Sequence, residues 1–208
     1  MKNIIIDYGV GNLDSLKRAF EEIGFPVIVS NDLEQIKEAT SIILPGVGAF
    51  KAAMDELQRL NLVELLISKA KIGTPFLGIC LGMQLLYEFS EEGGDHRGLG
   101  IIDGVIKQIP ENVKVPHMGW NKLYFQSDEK ILKYVTEEEY VYFVHSFYVS
   151  STNAELIAYS QYGVKIPGIV KKENIYGMQF HPEKSSETGL NLLKAYKELC
   201  IYDSISSN

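Results

Sequence analysis

The chain is poor in the residues that staple a fold or anchor it in a bilayer. It has 2 cysteines in 208 residues, too few for a disulfide framework and in keeping with a reducing compartment. No apolar run approaches the ~20 residues that cross a bilayer. The opening Met1-Lys2-Asn3-Ile4-Ile5-Ile6-Asp7 turns polar too soon for a signal peptide, so a cytoplasmic location is expected. Basic residues are outnumbered, 20 Lys and Arg against 27 Asp and Glu, for a net charge of −7. They form no stripe, which argues against nucleic acid as the main ligand. Internal repeats, low-complexity tracts and Pro/Ser-rich linkers are absent. So are the usual cofactor signatures. Gly9-Val10-Gly11 would need glycine at the next-but-two position for a dinucleotide fingerprint, and Asp14 stands there. No P-loop pattern occurs. His96, His117, His145 and His181 show no metal-ligand spacing, and no cysteine pair could build a zinc site.

What is present is core-forming sequence. Hydrophobic residues make up 46% of the chain and charged residues 23%, enough for a full core within a single domain spanning 1–208. The first half alternates strand and helix signals. Strands are expected at Asn3–Asp7, Val27–Ser30, Ser41–Leu44 and Thr74–Ile79. Helical periodicity marks Asn12–Ile23, Ala49–Leu60 and Leu62–Ala70, with Asp32 capping a short helix to about Ala39. A helix over Leu81–Tyr87 follows the fourth strand. The second half reads as strands at Gly104–Ile109, Lys122–Phe125, Tyr140–Val149, Ala154–Tyr159, Ile166–Lys171 and Ile175–Gln179, then a helix at Ser185–Leu199 and a frayed tail from Tyr202. The expectation is an α/β fold: an open, mostly parallel sheet flanked by helices, with an additional antiparallel portion.

Open sheets of this kind bind ligands at the carboxyl ends of their strands. One such end carries Gly78-Ile79-Cys80-Leu81-Gly82. A strand that turns sharply into a helix holds its turn residue up as an exposed nucleophile, and flanking glycines leave room for strained backbone and a close substrate. The thiolate is the reactive form, and unpaired N–H groups at a helix start favour an anion. A cysteine met without this setting would read as buried and inert. About a hundred residues on, His181-Pro182-Glu183 follows another buried strand. His181 can shuttle a proton, and Glu183 can orient it, from the same side if the segment is extended. An oxyanion formed by attack on an amide needs donors. The Leu81 N–H is one candidate, and the Gly46-Val47-Gly48 loop another, although that loop reads equally well as a tight strand–helix turn. His145 reads as a satisfied core or rim residue, Trp120 as core with an interface as the alternative, Cys200 as packing, and Glu88–Asp95 and Glu137–Glu139 as solvated faces.

With these residues in place the chain resembles the class I (triad) glutamine amidotransferases. Five ordered blocks narrow the likeness: Asp7-Tyr8-Gly9-Val10-Gly11-Asn12-Leu13, Pro45-Gly46-Val47-Gly48-Ala49-Phe50, Gly78 to Leu86, Pro116-His117-Met118-Gly119-Trp120-Asn121, and Gln179-Phe180-His181-Pro182-Glu183-Lys184-Ser185. Together they are similar to the glutaminase subunits of imidazole glycerol phosphate synthase. The resemblance implies a catalytic set of Cys80, His181 and Glu183. It implies an oxyanion hole from Val47, Gly48 and Leu81, and glutamine contacts at Gly46, Gln84, Ser146 and Phe147. It further implies ammonia delivery to a barrel-shaped cyclase subunit, whose products feed histidine and purine synthesis, and no metal or organic cofactor. Asn12, Trp120 and Lys184 are the candidates for the partner interface. After Tyr162-Gly163 the chain departs from the usual pattern and reads Val164-Lys165-Ile166-Pro167-Gly168. That leaves open a paralogue supplying ammonia for amination of cell-surface sugars. A catalytically dead binding subunit is disfavoured because all three triad positions are filled.

Overall fold

A computed structural model describes the backbone of residues 1–206 and side chains through Tyr202. The first strand, β1 (Asn3–Ile6), leads into α1 (Leu13–Glu22), which Asn12 caps by accepting the Ser15 N–H. β2 (Val27–Ser30), α2 (Leu33–Lys37), β3 (Ser41–Leu44), α3 (Phe50–Arg59), α4 (Val63–Lys71) and β4 (Phe76–Ile79) follow, then the five-residue α5 (Leu81–Leu85). The rest is mostly strand: β5 (Tyr87–Ser90), β6 (His96–Arg97), β7 (Ile102–Gln108), β8 (His117–Lys122), β9 (Tyr124–Phe125), β10 (Tyr140–His145), β11 (Phe147–Thr152), β12 (Glu155–Tyr162), β13 (Val164–Lys172) and β14 (Ile175–Met178). The long helix α6 spans Ser186–Ser206.

The main sheet runs β2-β1-β3-β4-β14-β13-β12-β9. Its first five strands are parallel and the last three join antiparallel, which is the mixed open sheet expected. Alternation explains its two covered faces. Ile4 and Ile6 enter one core cluster while Ile5 enters the other, and Ile42 and Leu44 part from Ile43 in the same way. Such strands carry apolar residues at successive positions because helices cover both sides. α1 and α6 supply Leu16, Phe20, Leu192 and Tyr196 to one cluster, and α3 and α4 supply Phe50, Leu57 and Leu66 to the other. Burying a side chain as fully as Phe20 (0% exposed) contributes about 1.5–3 kcal/mol. Among the described residues no helix is long and apolar enough to cross a membrane.

Several expectations are corrected. α5 stops at Leu85, and Tyr87, placed in that helix from sequence, opens a strand. β5 pairs with β7 and β6 in a second sheet of order β11-β7-β5-β6, so Glu88–Asp95 is only partly a solvated face, and Ser90 is fully buried. The expected strand Tyr140–Val149 is two strands in two sheets. β10 pairs with β8, β11 pairs with β7, and Ser146 is the break. β8 was missed as a strand. α6 continues past Leu199, and the part of the expected frayed tail beyond Ser206 lies outside the described residues.

Candidate active site

The carboxyl ends of β3, β4 and β14 carry the site, and those strands are neighbours. Ile79 stands opposite Met178 in the β4–β14 register, and the Cys80 N–H donates to the Met178 carbonyl at 2.7 Å. Elements that are remote in sequence are therefore held side by side by ladder hydrogen bonds. Cys80 has φ 53 and ψ −113, a conformation that costs a non-glycine residue on the order of 1–3 kcal/mol. The turn is possible because its glycines admit close backbone. A Cβ on Gly82 would lie 1.8 Å from the Leu44 carbonyl oxygen, and one on Gly78 would lie 2.7 Å from Met83 Cα. The elbow is thus clamped between β3 and its own helix.

His181 ends the run after β14. Its N–H donates to the Tyr142 carbonyl at 3.0 Å, and its own carbonyl accepts from Ser185 Oγ at 2.6 Å. Its Nδ1 lies 2.8 Å from Glu183 Oε1, and both side chains are 4% exposed. The extended condition under which Glu183 was read as lying on the same side as His181 does not hold. Pro182–Lys184 forms a 3-10 turn, and that turn brings the carboxylate round to the ring. His181 Nε2 is buried and has no hydrogen-bond partner among the described residues, so it is the ring nitrogen not already engaged by Glu183. Burial opposes a charged ring here. The Cys80 thiol and the Glu183 carboxylate outweigh it and raise the imidazole from 6.5 to about 10, so the ring favours the imidazolium at neutral pH.

A cavity of ≈ 360 Å³ opens over these groups, lined by Val47, Gly48, Cys80, Leu81, Gln84, Glu92, Pro116, Val144, His145, Ser146, Phe147 and His181. Eight of the residues singled out from sequence meet in this wall: Val47, Gly48, Cys80, Leu81, Gln84, Ser146, Phe147 and His181. Glu183 stands behind His181. Gly46, expected to contact glutamine, is not among the lining residues; it sits in the loop after β3, where a Cβ would meet Tyr8 Oη at 2.5 Å. Gly48 has φ +97, open to glycine and strained for other residues. Asn12, Trp120 and Lys184 lie outside the cavity lining. Asn12 and Lys184 are exposed. Trp120, read preferentially as core, is 50% exposed, on a face shared with Met118 (61%) and Tyr140 (51%).

Other participants were missed from sequence. Gln179, wholly buried, accepts from Gln84 Nε2 at 3.0 Å through Oε1 and points Nε2 at Cys80 Sγ, 3.9 Å away. The Val144 carbonyl lies 3.9 Å from the same sulfur. Tyr8 donates to the Pro45 carbonyl at 2.5 Å and so ties the β3 loop to β1. Its phenol is pushed far up by burial and by the nearby Cys80. Glu92, assigned to a solvated face, accepts the Phe50 N–H at 3.0 Å and caps α3 where Ala49 cannot. His145 is no bystander of the core; it lines the cavity. Only Gln179 and Tyr8 carried a signal, as members of the five ordered blocks.

Comparison with known proteins agrees with this geometry. The model of the class-I glutamine amidotransferase family matches residues 4–196. Imidazole glycerol phosphate synthase subunit HisH from Oceanobacillus iheyensis is 54% identical over 196 residues, covering 94% of this chain and 98% of that protein. The HisH subunits from Lactococcus lactis and Aquifex aeolicus are 49% and 47% identical, covering 95% of this chain and 98% and 96% of theirs. A solved structure from Thermoplasma acidophilum, provisionally named as part of a GMP synthase, superposes with TM-score 0.76 at 20% identity, over 100% of this chain and 98% of that one. Another, named glutamine amidotransferase, has TM-score 0.76 at 15% identity, over 95% and 98%. The two structures speak for the fold. The sequence matches go further: the chain belongs to the class-I glutamine amidotransferases, in the branch of the imidazole glycerol phosphate synthase HisH subunits.

Proposed function

We propose that the chain is a glutaminase subunit that takes ammonia from L-glutamine and passes it to a cyclase partner making imidazole glycerol phosphate in histidine biosynthesis. The observation that carries the reading is the strained Cys80 elbow sharing one cavity with His181, whose other ring nitrogen is held by Glu183. The Cys80 proton passes to His181 Nε2, and the thiolate attacks the side-chain amide carbon of glutamine. The oxyanion is held by the Leu81 N–H, a helix-terminal amide with no partner inside α5, and by amides of the Val47–Gly48 loop. The carbon–nitrogen bond breaks as His181 gives a proton to the leaving nitrogen, and ammonia departs. A glutamyl thioester remains on Cys80. Water then attacks it while His181 takes the water proton, and glutamate leaves as the thiol is restored. Glu183 keeps its hold on Nδ1 throughout, so Nε2 is the nitrogen that gives and takes the proton.

Gln84, Ser146 and Phe147 line the cavity as the cradle for glutamine. Ammonia is mostly protonated in water at neutral pH and is then a poor nucleophile, so a closed path to the acceptor keeps it reactive. The exposed apolar face of Met118, Trp120 and Tyr140 fits an intermolecular contact, with Asn12 and Lys184 as further interface candidates. The sequence relatives described above are all named for this synthase subunit, which favours it over a sugar-amidating paralogue. The Val164–Gly168 departure falls in β13, on the antiparallel side of the sheet and outside the cavity wall. The test is Cys80→Ala. Glutamate release in the presence of the cyclase should vanish while the complex still forms in pull-down. Retained activity would sink the mechanism.

A further inference from the structure

Asn121 closes the His117–Asn121 block, yet it neither touches the triad nor lines the cavity. Its side-chain Oδ1 is placed 2.8 Å from His117 Nε2, and the two ends of an amide have the same shape and exchange places by a half-turn. His117 Nδ1 lies 3.0 Å from His145 Nε2, across the β8–β10 register. His145 Nδ1 lies 2.8 Å from the Phe147 carbonyl, which also accepts from Gln84 Nε2 at 2.9 Å. His117 has no exposed surface and stacks against Tyr162 and Phe143, with centroids 3.9 and 4.7 Å away.

Counting protons along this chain leaves a single neutral solution. The Phe147 oxygen can only accept, so His145 carries its proton on Nδ1. A neutral imidazole has one N–H, so His145 Nε2 offers a lone pair to His117. His117 must then be protonated on Nδ1, and its Nε2 needs a donor. Of the two ends of the Asn121 amide, only Nδ2 donates. With the oxygen end there instead, His117 would be protonated on Nε2. Two lone pairs would then face each other at 3.0 Å, or an extra proton would have to sit between buried rings. Burial disfavours that charge, lowering His117 from its ordinary value and His145 to about 3.

We infer that Asn121 turns Nδ2 to His117, closes the proton chain that runs from the Phe147 carbonyl through both buried histidines in their Nδ1-protonated form, and thereby helps hold the Phe147 carbonyl and the Gln84 amide of the substrate cradle. Asn121 and His145 are positioning residues in this scheme. The scheme rests on the proposed function only for the identity of the molecule cradled.

The test is imidazole ¹⁵N NMR of the full chain at neutral pH, together with glutaminase kinetics in the presence of the cyclase. His117 and His145 should each be protonated on Nδ1 alone. Protonation of His117 on Nε2, or an imidazolium at either ring, would overturn the inference. In Asn121→Asp the carboxylate can only accept, so the pair should take up a proton and show an imidazolium. Loss of one neutral hydrogen bond at the cradle should raise KM for glutamine about fivefold to tenfold with kcat within about twofold. Asn121→Ala should raise KM similarly with no imidazolium, a contrast that a merely structural role would not produce. Unchanged tautomers and unchanged KM in both variants would refute the scheme, and the wild-type spectrum decides if either fails to fold. Absence of glutamate release by the wild type would instead strike the proposed function and leave the tautomers standing.

Discussion

At the scale of single residues, the site is governed by the three groups around one imidazole. Glu183 holds His181 Nδ1 at 2.8 Å, so Glu183→Gln keeps the shape but removes the charge. The ring would then lose a cause of its raised value and could turn into the wrong tautomer. Glutamate release should fall about 10²-fold or more, read in a coupled assay with the cyclase present. The sign of the pH effect on stability follows from the same shift. The unfolded chain gives up this proton near 6.5 and the folded one near 10. The charged ring therefore stabilises the fold in full below pH 6.5, and its contribution fades as pH rises through about 10. Urea midpoints should show wild type exceeding Glu183→Gln at pH 7 by a margin that shrinks toward pH 10. A margin constant with pH would count against the assignment. Cys80 and His181 were legible from sequence because a nucleophile between glycines and a His-Pro-Glu after a strand are local patterns. Gln179 was legible only as a member of an ordered block and the Val144 carbonyl not at all, since neither contact with the sulfur exists until folding makes it.

At the scale of elements, the β4–α5 elbow depends on backbone approach. Gly82→Ala would drive a methyl into the Leu44 carbonyl 1.8 Å away, and nothing there is a flexible side chain that could swing aside. Overpacking of this kind costs about 1–3 kcal/mol. The unfolding free energy from denaturant titration should drop by that amount, and glutamate release should be lost, because β3, its loop and α5 all shift. A variant of wild-type stability would show that the clamp gives way easily. Elements with strong periods were legible: β1, β3, β4, α1, α3 and α4 fall within two residues of their expected bounds. The failures share a cause. Tyr140–Val149 has the composition of one strand, and no local residue marks Ser146 as the point where the chain leaves β8 for β7. The break comes from pairing with two different partners. Likewise Tyr87 ends a helical pattern but is claimed by β7, tertiary pairing overriding local preference.

At the scale of the whole molecule, acid should destabilise the fold through the buried histidines. Burial first, and then His117 and His181 against the opposing Phe147 carbonyl, lower His145 to about 3. The unfolded chain takes up that proton near 6.5 and the folded chain does not until about 3, so stability falls as pH drops between those values. Denaturation midpoints from pH 7 to pH 4 should decline more steeply in wild type than in His145→Gln. Parallel declines would remove His145 as the cause. The same buried pair links the exposed strand carrying Met118 and Trp120 to the cavity wall through two hydrogen bonds, which joins the candidate partner face to the substrate cradle. Sequence by itself determined the layered sheet and the elbow, because period-2 alternation, helical spacing and glycine turns act through near neighbours. Tertiary structure alone decided which cavity wall faces the sulfur, which strand ends at Ser146, and which proton each buried histidine keeps. Those depend on register between segments far apart in the chain, where a hydrogen bond exists only once both partners are in place.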